Sequence, residues 1–219
     1  MINNKRIAMV MPIKLNNERL PNKNTRLLGG KPLLTWQLDV LNEIENIDKK
    51  YVFCSEDKII QYLPEGIEFL KRSKELDLPT KNFNDIFESF IEKVSADIYI
   101  YAHATAPFIK KETTIDCIEK VAYGENDSAF CAVKLQDFLW KNGNPLNFNA
   151  DKMPRSQDLE IIWRETSGIY VFARNVFVEN HRRIGKNPFI KEVSYREAVD
   201  INNLEDYELA CILANEEQV

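Results

Sequence analysis

An apolar run near the start of the chain, Ile7-Ala8-Met9-Val10-Met11-Pro12, empties into a polar segment, Lys14 to Lys31, that carries Lys14, Arg19, Lys23 and Arg26. A Gly29-Gly30-Lys31-Pro32 turn follows, and then a stretch with Leu34, Leu38 and Leu41 spaced for one face of a helix. A continuous apolar run of this kind is a strand covered on both faces, which belongs in a mainly parallel sheet between helical layers. Strand, cation-rich loop and helix in that order are also how α/β proteins hold a nucleotide phosphate at the carboxyl edge of a sheet.

The alternation continues. Lys50 to Cys54 reads as a second strand, Ser55 suits the cap of a short helix through Tyr62, and Gly66 to Leu70 is a brief strand. Asn84 to Val94 places Ile86, Phe87, Phe90, Ile91 and Val94 at helical spacing, Asp97 to Ala102 is a strand, and Glu112 to Val121 a helix. After the strand at Ser128 to Val133 the rhythm breaks. Gln136 to Trp163 has no sustained period, so residues 136–165 read as an excursion, either a lid or a dimerisation arm. Gly168 to Ala173 resumes as a strand, Val193 to Ile201 is expected to return to the sheet, and Asn203 to Asn215 closes the chain as a helix. The expected fold is α/β, a Rossmann-like three-layer sandwich with a mainly parallel mixed sheet, formed by residues 1–219 as one domain.

A formal charge of -5 and no long basic run leave little attraction for a nucleic-acid backbone or an anionic membrane, so neither is an expected partner. Cys54, Cys117, Cys131 and Cys211 are widely spread without a C-x-x-C pair, and read as reduced thiols. Lys5 and Arg6 interrupt any signal-like start, and no apolar run approaches membrane-spanning length, so a cytoplasmic protein is expected.

The order of residues in the first loop says more than its charge. Pro12-Ile13-Lys14-Leu15-Asn16-Asn17-Glu18-Arg19-Leu20-Pro21-Asn22-Lys23-Asn24, followed by Gly30-Lys31-Pro32-Leu33, resembles the signature loop of the sugar-acid cytidylyltransferases, which include the acylneuraminate (CMP-sialic acid) and Kdo synthetases. That loop reads approximately P-A-R-x-x-S-x-R-x-P-x-K-N before a G-K-P-L helix start. Phe53-Cys54-Ser55-Glu56-Asp57 is similar to the family's V-S-T-D-D, Lys71-Arg72-Ser73-Lys74-Glu75-Leu76 to R-P-x-x-L, and Ala102-His103-Ala104-Thr105-Ala106-Pro107 to Q-P-T-S-P. Pro154-Arg155-Ser156-Gln157-Asp158-Leu159 resembles P-R-Q-x-L with a one-residue shift. Thr166-Ser167-Gly168-Ile169-Tyr170 resembles N-G-A-I-Y, and Asp200-Ile201-Asn202-Asn203-Leu204-Glu205-Asp206 resembles D-I-D-T-x-x-D. The matches run in order over nearly the whole chain.

The resemblance implies a nucleotide-diphospho-sugar transferase type of fold, and CMP transfer from CTP to a sugar acid with release of pyrophosphate. It implies catalytic roles for Lys14, Arg19, Lys23 and Asp200, with Asp200 holding Mg²⁺. Asn17, Asn24, Arg72, Thr80 and His103 would meet the nucleotide, while Thr105, Arg155, Gln157, Thr166 and Ser167 would meet the acceptor. Members of the family are commonly dimers through the excursion, so a homodimer is expected.

This chain departs from the pattern at four places: Lys14 for Arg, which loses the bidentate fork, Asn17 for Ser, His103 for Gln, and Asn202 for the second Asp. Structural alternatives stand beside these roles. Asp200 also suits a helix cap, His103 a packed strand-end histidine, and Arg72 a surface charge. A different acceptor, such as a sugar phosphate, a polyol phosphate or a phosphonate, and a non-catalytic nucleotide-binding protein of the same fold also remain open.

Overall fold

In the computed structural model, which describes residues 2–216, the N-terminal apolar run is strand β1 (Ile7–Ile13) of a seven-stranded sheet. The other strands are β2 (Lys49–Cys54), β3 (Glu68–Lys71), β4 (Ile98–Ala102), β5 (Ser128–Leu135), β6 (Ile162–Ala173) and β7 (Pro188–Glu192). They lie in the order β7-β5-β6-β4-β1-β2-β3, with β6 antiparallel to both neighbours and every other pairing parallel.

The alternation within β1 explains the layers. Met9, Met11 and Ile13 face one core with Leu34, Leu38 and Leu41 of helix α1 (Leu33–Asn42) and Cys117, Ile118 and Val121 of α3 (Lys111–Ala122). Ala8 and Val10 face the opposite core, against Phe87 and Phe90 of α2 (Phe83–Ile91) and Val176 and Phe177 of α4 (Arg174–Asn180). Phe87 anchors this second core through edge contacts with Phe177 at 4.7 Å and Phe172 at 5.1 Å between ring centroids. A third cluster joins Leu28, Leu33 and Phe108 to Ile201 and to Ala210 and Ala214 of α5 (Leu204–Glu216), which fastens the C-terminal helix beside the first loop.

From β1 the chain builds outward through β2 to β3, then crosses back to β4 on the other side of β1. The carboxyl ends of β1 and β4 thus flank a topological switch point, the place where open α/β sheets receive ligands.

Three expectations change in detail. Val193 to Ile201 is not a strand; the edge strand is the preceding Pro188–Glu192, parallel to β5. The strand expected at Gly168 begins earlier, at Ile162, because Ile162 to Glu165 pairs with β5 beyond the body of the sheet. Ser55 does not cap the turn at Asp57–Tyr62, and its hydroxyl donates instead to Asp77. The excursion between β5 and β6 holds a short ribbon pairing Trp140–Lys141 with Asn144–Pro145, under which Phe148 packs against Phe138 and Trp140. The four cysteines are free, and among the described residues no helix is long and apolar enough to cross a membrane.

Candidate active site

Where β1 ends, the loop closes on itself. Asn24 Nδ2 donates to the carbonyl of Lys14 at 2.8 Å, and Asn22, at a φ of 55°, turns the chain into a single 3₁₀ turn, Lys23–Thr25. Asparagine tolerates that left-handed conformation better than most residues. The closed loop brings Lys14, Asn17, Arg19 and Lys23 to one cavity of about 300 Å³, whose far wall includes Asn202. The side-chain oxygen of Asn17 is buried there without a partner.

That far wall is the segment leading into α5. Lys23 Nζ donates to the carbonyl of Ile201 at 2.8 Å, and Arg19 Nη2 donates to Asn202 Oδ1 at 3.0 Å. Asn202 Nδ2 in turn donates to Asp200 Oδ2 at 2.7 Å, while Asp200 Oδ1 is buried without a partner. Burial lowers the pKa of Lys23, and the negative charge of Asp200 opposes the shift. Asp200 is not the cap of α5. Asn203 Oδ1 accepts from the Asp206 amide, and Asp206 Oδ2 accepts from the amides of Asn202 and Asn203, so those two side chains close the helix end.

On the other side of Asn202 lies a second cavity, about 470 Å³, lined by Thr166, Ser167, Asp200, Tyr195, Arg164 and Glu165 among others. A break in the β5–β6 ladder makes room for it. Glu165 pairs with Ala132 and Tyr170 with Phe130, so five steps on β6 answer two on β5, and Thr166 to Ile169 leave that ladder. Gly168 gives the Ile109 side chain room there, since a Cβ would stand 2.6 Å from Ile109 Cδ1 and that side chain would have to shift. Thr166 turns its hydroxyl inward, onto the carbonyl of Cys131 at 3.0 Å.

His103 follows β4. Its backbone amide donates to Gly168 O at 3.2 Å, and its ring Nδ1 is hydrogen-bonded to the carbonyl of Ser167. Two residues on, the carbonyl of Thr105 accepts from the amide of Ile201 at 2.8 Å, tying this strand end to the Asp200 segment.

Arg72 is 5% exposed and not a surface charge. Its Nη2 donates to Ile13 O at 3.2 Å and to Asp77 at 2.7 Å, leaving Nε and Nη1 buried without partners. Lys14 and Asp77 both border a third cavity of about 580 Å³ beside the loop. Thr80 is exposed, one residue beyond Pro79, which borders both loop-side cavities.

The structure does not bring Arg155 and Gln157 to the cavity of Thr166 and Ser167. Both are exposed on the excursion, and Arg155 forms a two-point pair with Asp158 at 2.7 and 2.9 Å. Sequence reasoning missed Arg164 and Glu165, for which alternation along an extended strand was an available signal, and Glu197, which no spacing marks. Buried Glu197 accepts from Thr113 Oγ1 at 2.7 Å and from the Lys110 amide at 3.3 Å, closing the start of α3 from the segment that carries Asp200.

A family model described as cytidylyltransferase matches residues 8–218. The chain belongs to the cytidylyltransferase family. It is 23% identical to N-acylneuraminate cytidylyltransferase A of Danio rerio over 206 residues, which is 90% of this chain and 48% of that protein. It is 28% identical to the CMP-N,N'-diacetyllegionaminic acid synthase of Legionella pneumophila, covering 93% of this chain and 94% of the relative. The chain thus spans about half the length of the first relative and nearly all of the second. A CMP:2-keto-3-deoxy-manno-octonic acid synthetase complexed with CTP shares the fold, with a TM-score of 0.74 at 16% identity over 97% of this chain and 99% of that one.

Proposed function

We propose that this member of the cytidylyltransferase family transfers CMP from CTP to a sugar acid and releases pyrophosphate. The observation that carries the reading is the meeting of two cavities at Asn202, one walled by Lys14, Arg19 and Lys23 and the other by Thr166, Ser167 and Asp200. A triphosphate in the first and an acceptor in the second would face each other across Asp200. The names of the relatives from Danio rerio and Legionella pneumophila support a sugar acid as that acceptor.

In this reading the acceptor hydroxyl attacks the α-phosphorus in line, and Lys14, Arg19 and Lys23 stabilise the charge that grows on the departing pyrophosphate. Asn17 offers its amide to a phosphate oxygen. Arg72 offers two unpaired guanidinium nitrogens, Nε and Nη1, to the nucleoside, with Thr80 at the rim. Asn24 acts by holding the loop closed, and Thr105 by holding Ile201. Arg155 and Gln157 would reach the acceptor only if the excursion moves or is completed by a second copy. Exposed Phe138, Trp140, Leu146 and Met153 on the same excursion suit a homodimer.

Asp200 fits a divalent cation, because its Oδ1 is buried without a partner while Asn202 occupies Oδ2. Among the described residues no three His, Cys, Asp or Glu side chains gather into a metal site. Mg²⁺, which commonly takes one or two carboxylates, would complete its shell with phosphate oxygens and water. When bound it would supply further neutralisation of the triphosphate. The free thiols suit a reducing compartment and thus the cytoplasm.

The test is a pyrophosphate-release assay crossing the four nucleoside triphosphates with a panel of sugar acids and sugar phosphates in the presence of Mg²⁺. Release with CTP and a sugar acid supports the reading. Release only with a phosphorylated acceptor would replace it, and no release with any pair would leave a nucleotide-binding protein.

A further inference from the structure

We propose that Asn202 is a positioning residue whose neutral amide sets Arg19 on the triphosphate side and Asp200 on the acceptor side at once. The inference rests on the two-cavity reading above and extends it to a place where this chain carries an amide instead of a second Asp.

Among the described residues, Asn202 is the only one that lines both cavities. Its side chain is fully engaged there. Oδ1 accepts from Arg19 Nη2 at 3.0 Å, and Nδ2 donates to Asp200 Oδ2 at 2.7 Å and to the Asp200 carbonyl at 3.4 Å. A guanidinium only donates and an ionised carboxylate only accepts, so the amide oxygen must face Arg19 and the amide nitrogen must face Asp200. An Asp in this position would accept from Arg19 but could not donate to Asp200.

The main chain around the residue is pinned from three directions. The Asn202 amide donates to Asp206 Oδ2 at 2.8 Å, at the start of α5. Next to it, the Ile201 amide donates to the Thr105 carbonyl at 2.8 Å, and the Ile201 carbonyl accepts from Lys23 Nζ at 2.8 Å. A changed side chain therefore alters the two contacts of the amide while the segment stays in place.

The consequence follows from charge. A neutral acceptor holds the Arg19 guanidinium in the cavity that Lys14 and Lys23 also line, yet it competes weakly with a triphosphate, because bonds between two ionised groups are stronger. The nucleotide can then take Arg19 from it. On the other face, the amide occupies Asp200 Oδ2 and leaves Oδ1, buried and without a partner, as the carboxylate oxygen open to a cation. A carboxylate in place of the amide would reverse both effects, keeping Arg19 as an ion pair and giving the cation a second anionic ligand beside Asp200.

Asn202→Asp tests this through two equilibria that need no turnover. Calorimetric titration with CTP in EDTA should show a Kd raised roughly fivefold, the upper range for one new ion pair at an exposed site that must be broken. Mn²⁺ alone, followed by loss of the paramagnetic signal of the free ion, should bind several-fold tighter. A loosened structure would weaken both, so opposite movement is the signature of positioning, and unchanged values or a joint loss would overturn the proposal. In an Arg19→Ala background the same substitution should change the CTP Kd by less than about twofold, since its partner is gone. A full loss persisting there would show that the carboxylate repels the nucleotide directly, which would overturn the link to Arg19. Asn202→Ser adds no charge and should keep the CTP Kd within about twofold of the wild type. A loss equal to that of Asn202→Asp would rule out charge as the cause. A wild type that binds CTP but releases no pyrophosphate with the whole panel would overturn the transfer reading alone, whereas one that binds no CTP would overturn both.

Discussion

Lys23 Nζ donates to the carbonyl of Ile201 at 2.8 Å, one residue from Asp200 and 178 residues away in sequence. The bond fixes the ammonium against the metal-binding candidate and locks the first loop to the start of α5. Lys23→Ala should therefore lower both activity and stability. Removing one fixed electrostatic stabiliser costs roughly 10²- to 10³-fold in kcat. The stranded carbonyl adds about 1–3 kcal/mol of destabilisation, the usual penalty for a buried acceptor left unpaired. Lys14→Arg, in a half-buried and open part of the loop, should change either quantity little. Steady-state kinetics with a thermal melt checks both, and a Lys23→Ala protein altered only in KM would show that the ammonium merely attracts the nucleotide.

Asp200→Asn should leave the protein folded and abolish the Mg²⁺-dependent part of turnover. The substitution keeps size but removes the charge that a hard cation needs, and α5 retains its own closure by Asn203 and Asp206. Titration with Mn²⁺ in the presence of CTP, followed by paramagnetic resonance, should show weakened binding in the variant. Unchanged Mn²⁺ affinity would return Asp200 to a purely structural role.

The sheet was legible because its information is local. β1 and β4 are continuous apolar runs with helical periodicity after each, and a period of two or of 3.6 is written into neighbouring residues. The loop from Lys14 to Lys23 was legible for the same reason, as one ordered string. What escaped was long-range. Nothing near Glu197 announces that it closes a helix beginning at Lys111, and nothing near Arg155 says that Asp158 will hold it away from Thr166. The early start of β6 was hidden because Ile162 to Glu165 pairs only with β5, is largely exposed, and lacks the apolar signature of a covered strand.

Arg72 should decide affinity for CTP more than its turnover. Two of its guanidinium nitrogens are buried and unpaired, a costly state that a ligand acceptor would relieve. Arg72→Lys cannot reproduce the planar fork and should reduce the CTP-induced rise in Tm. For the wild type, CTP at about 100 times its Kd should stabilise by roughly 2.7 kcal/mol, and CTP should exceed ATP, GTP and UTP. Equal shifts from all four triphosphates in the wild type would remove the cytosine preference.

Glu197→Gln should act at a distance on the metal candidate. The Glu197 carboxylate joins the first turn of α3 to the segment that runs, three residues later, into Asp200. Lys110, at the start of that helix, provides no side-chain cap of its own, so the remote carboxylate does this work and its charge favours the helix end. Gln keeps one acceptor oxygen but not the charge, which should cost about 1 kcal/mol of stability, the typical value for a lost cap. If the same link holds Asp200 in place, the apparent Mg²⁺ constant should rise several-fold while the KM for CTP stays near normal.

The His103 environment also sets an acid limit on stability. Burial, reinforced by Arg183 and Lys23, holds its pKa below the ordinary histidine value despite the Ser167 bond and Asp200. Between the lowered folded-state pKa and about 6.5, the unfolded chain therefore carries a proton that the folded chain does not. Unfolding free energy must rise with pH across that window and fall as the solution is acidified through it, levelling once both states are protonated. His103→Asn has no such proton to bind, so its stability should fall less steeply below pH 6.5 than that of the wild type. Urea melts of both proteins at a series of pH values measure the difference, and parallel curves would show that His103 is protonated as easily in the fold as out of it.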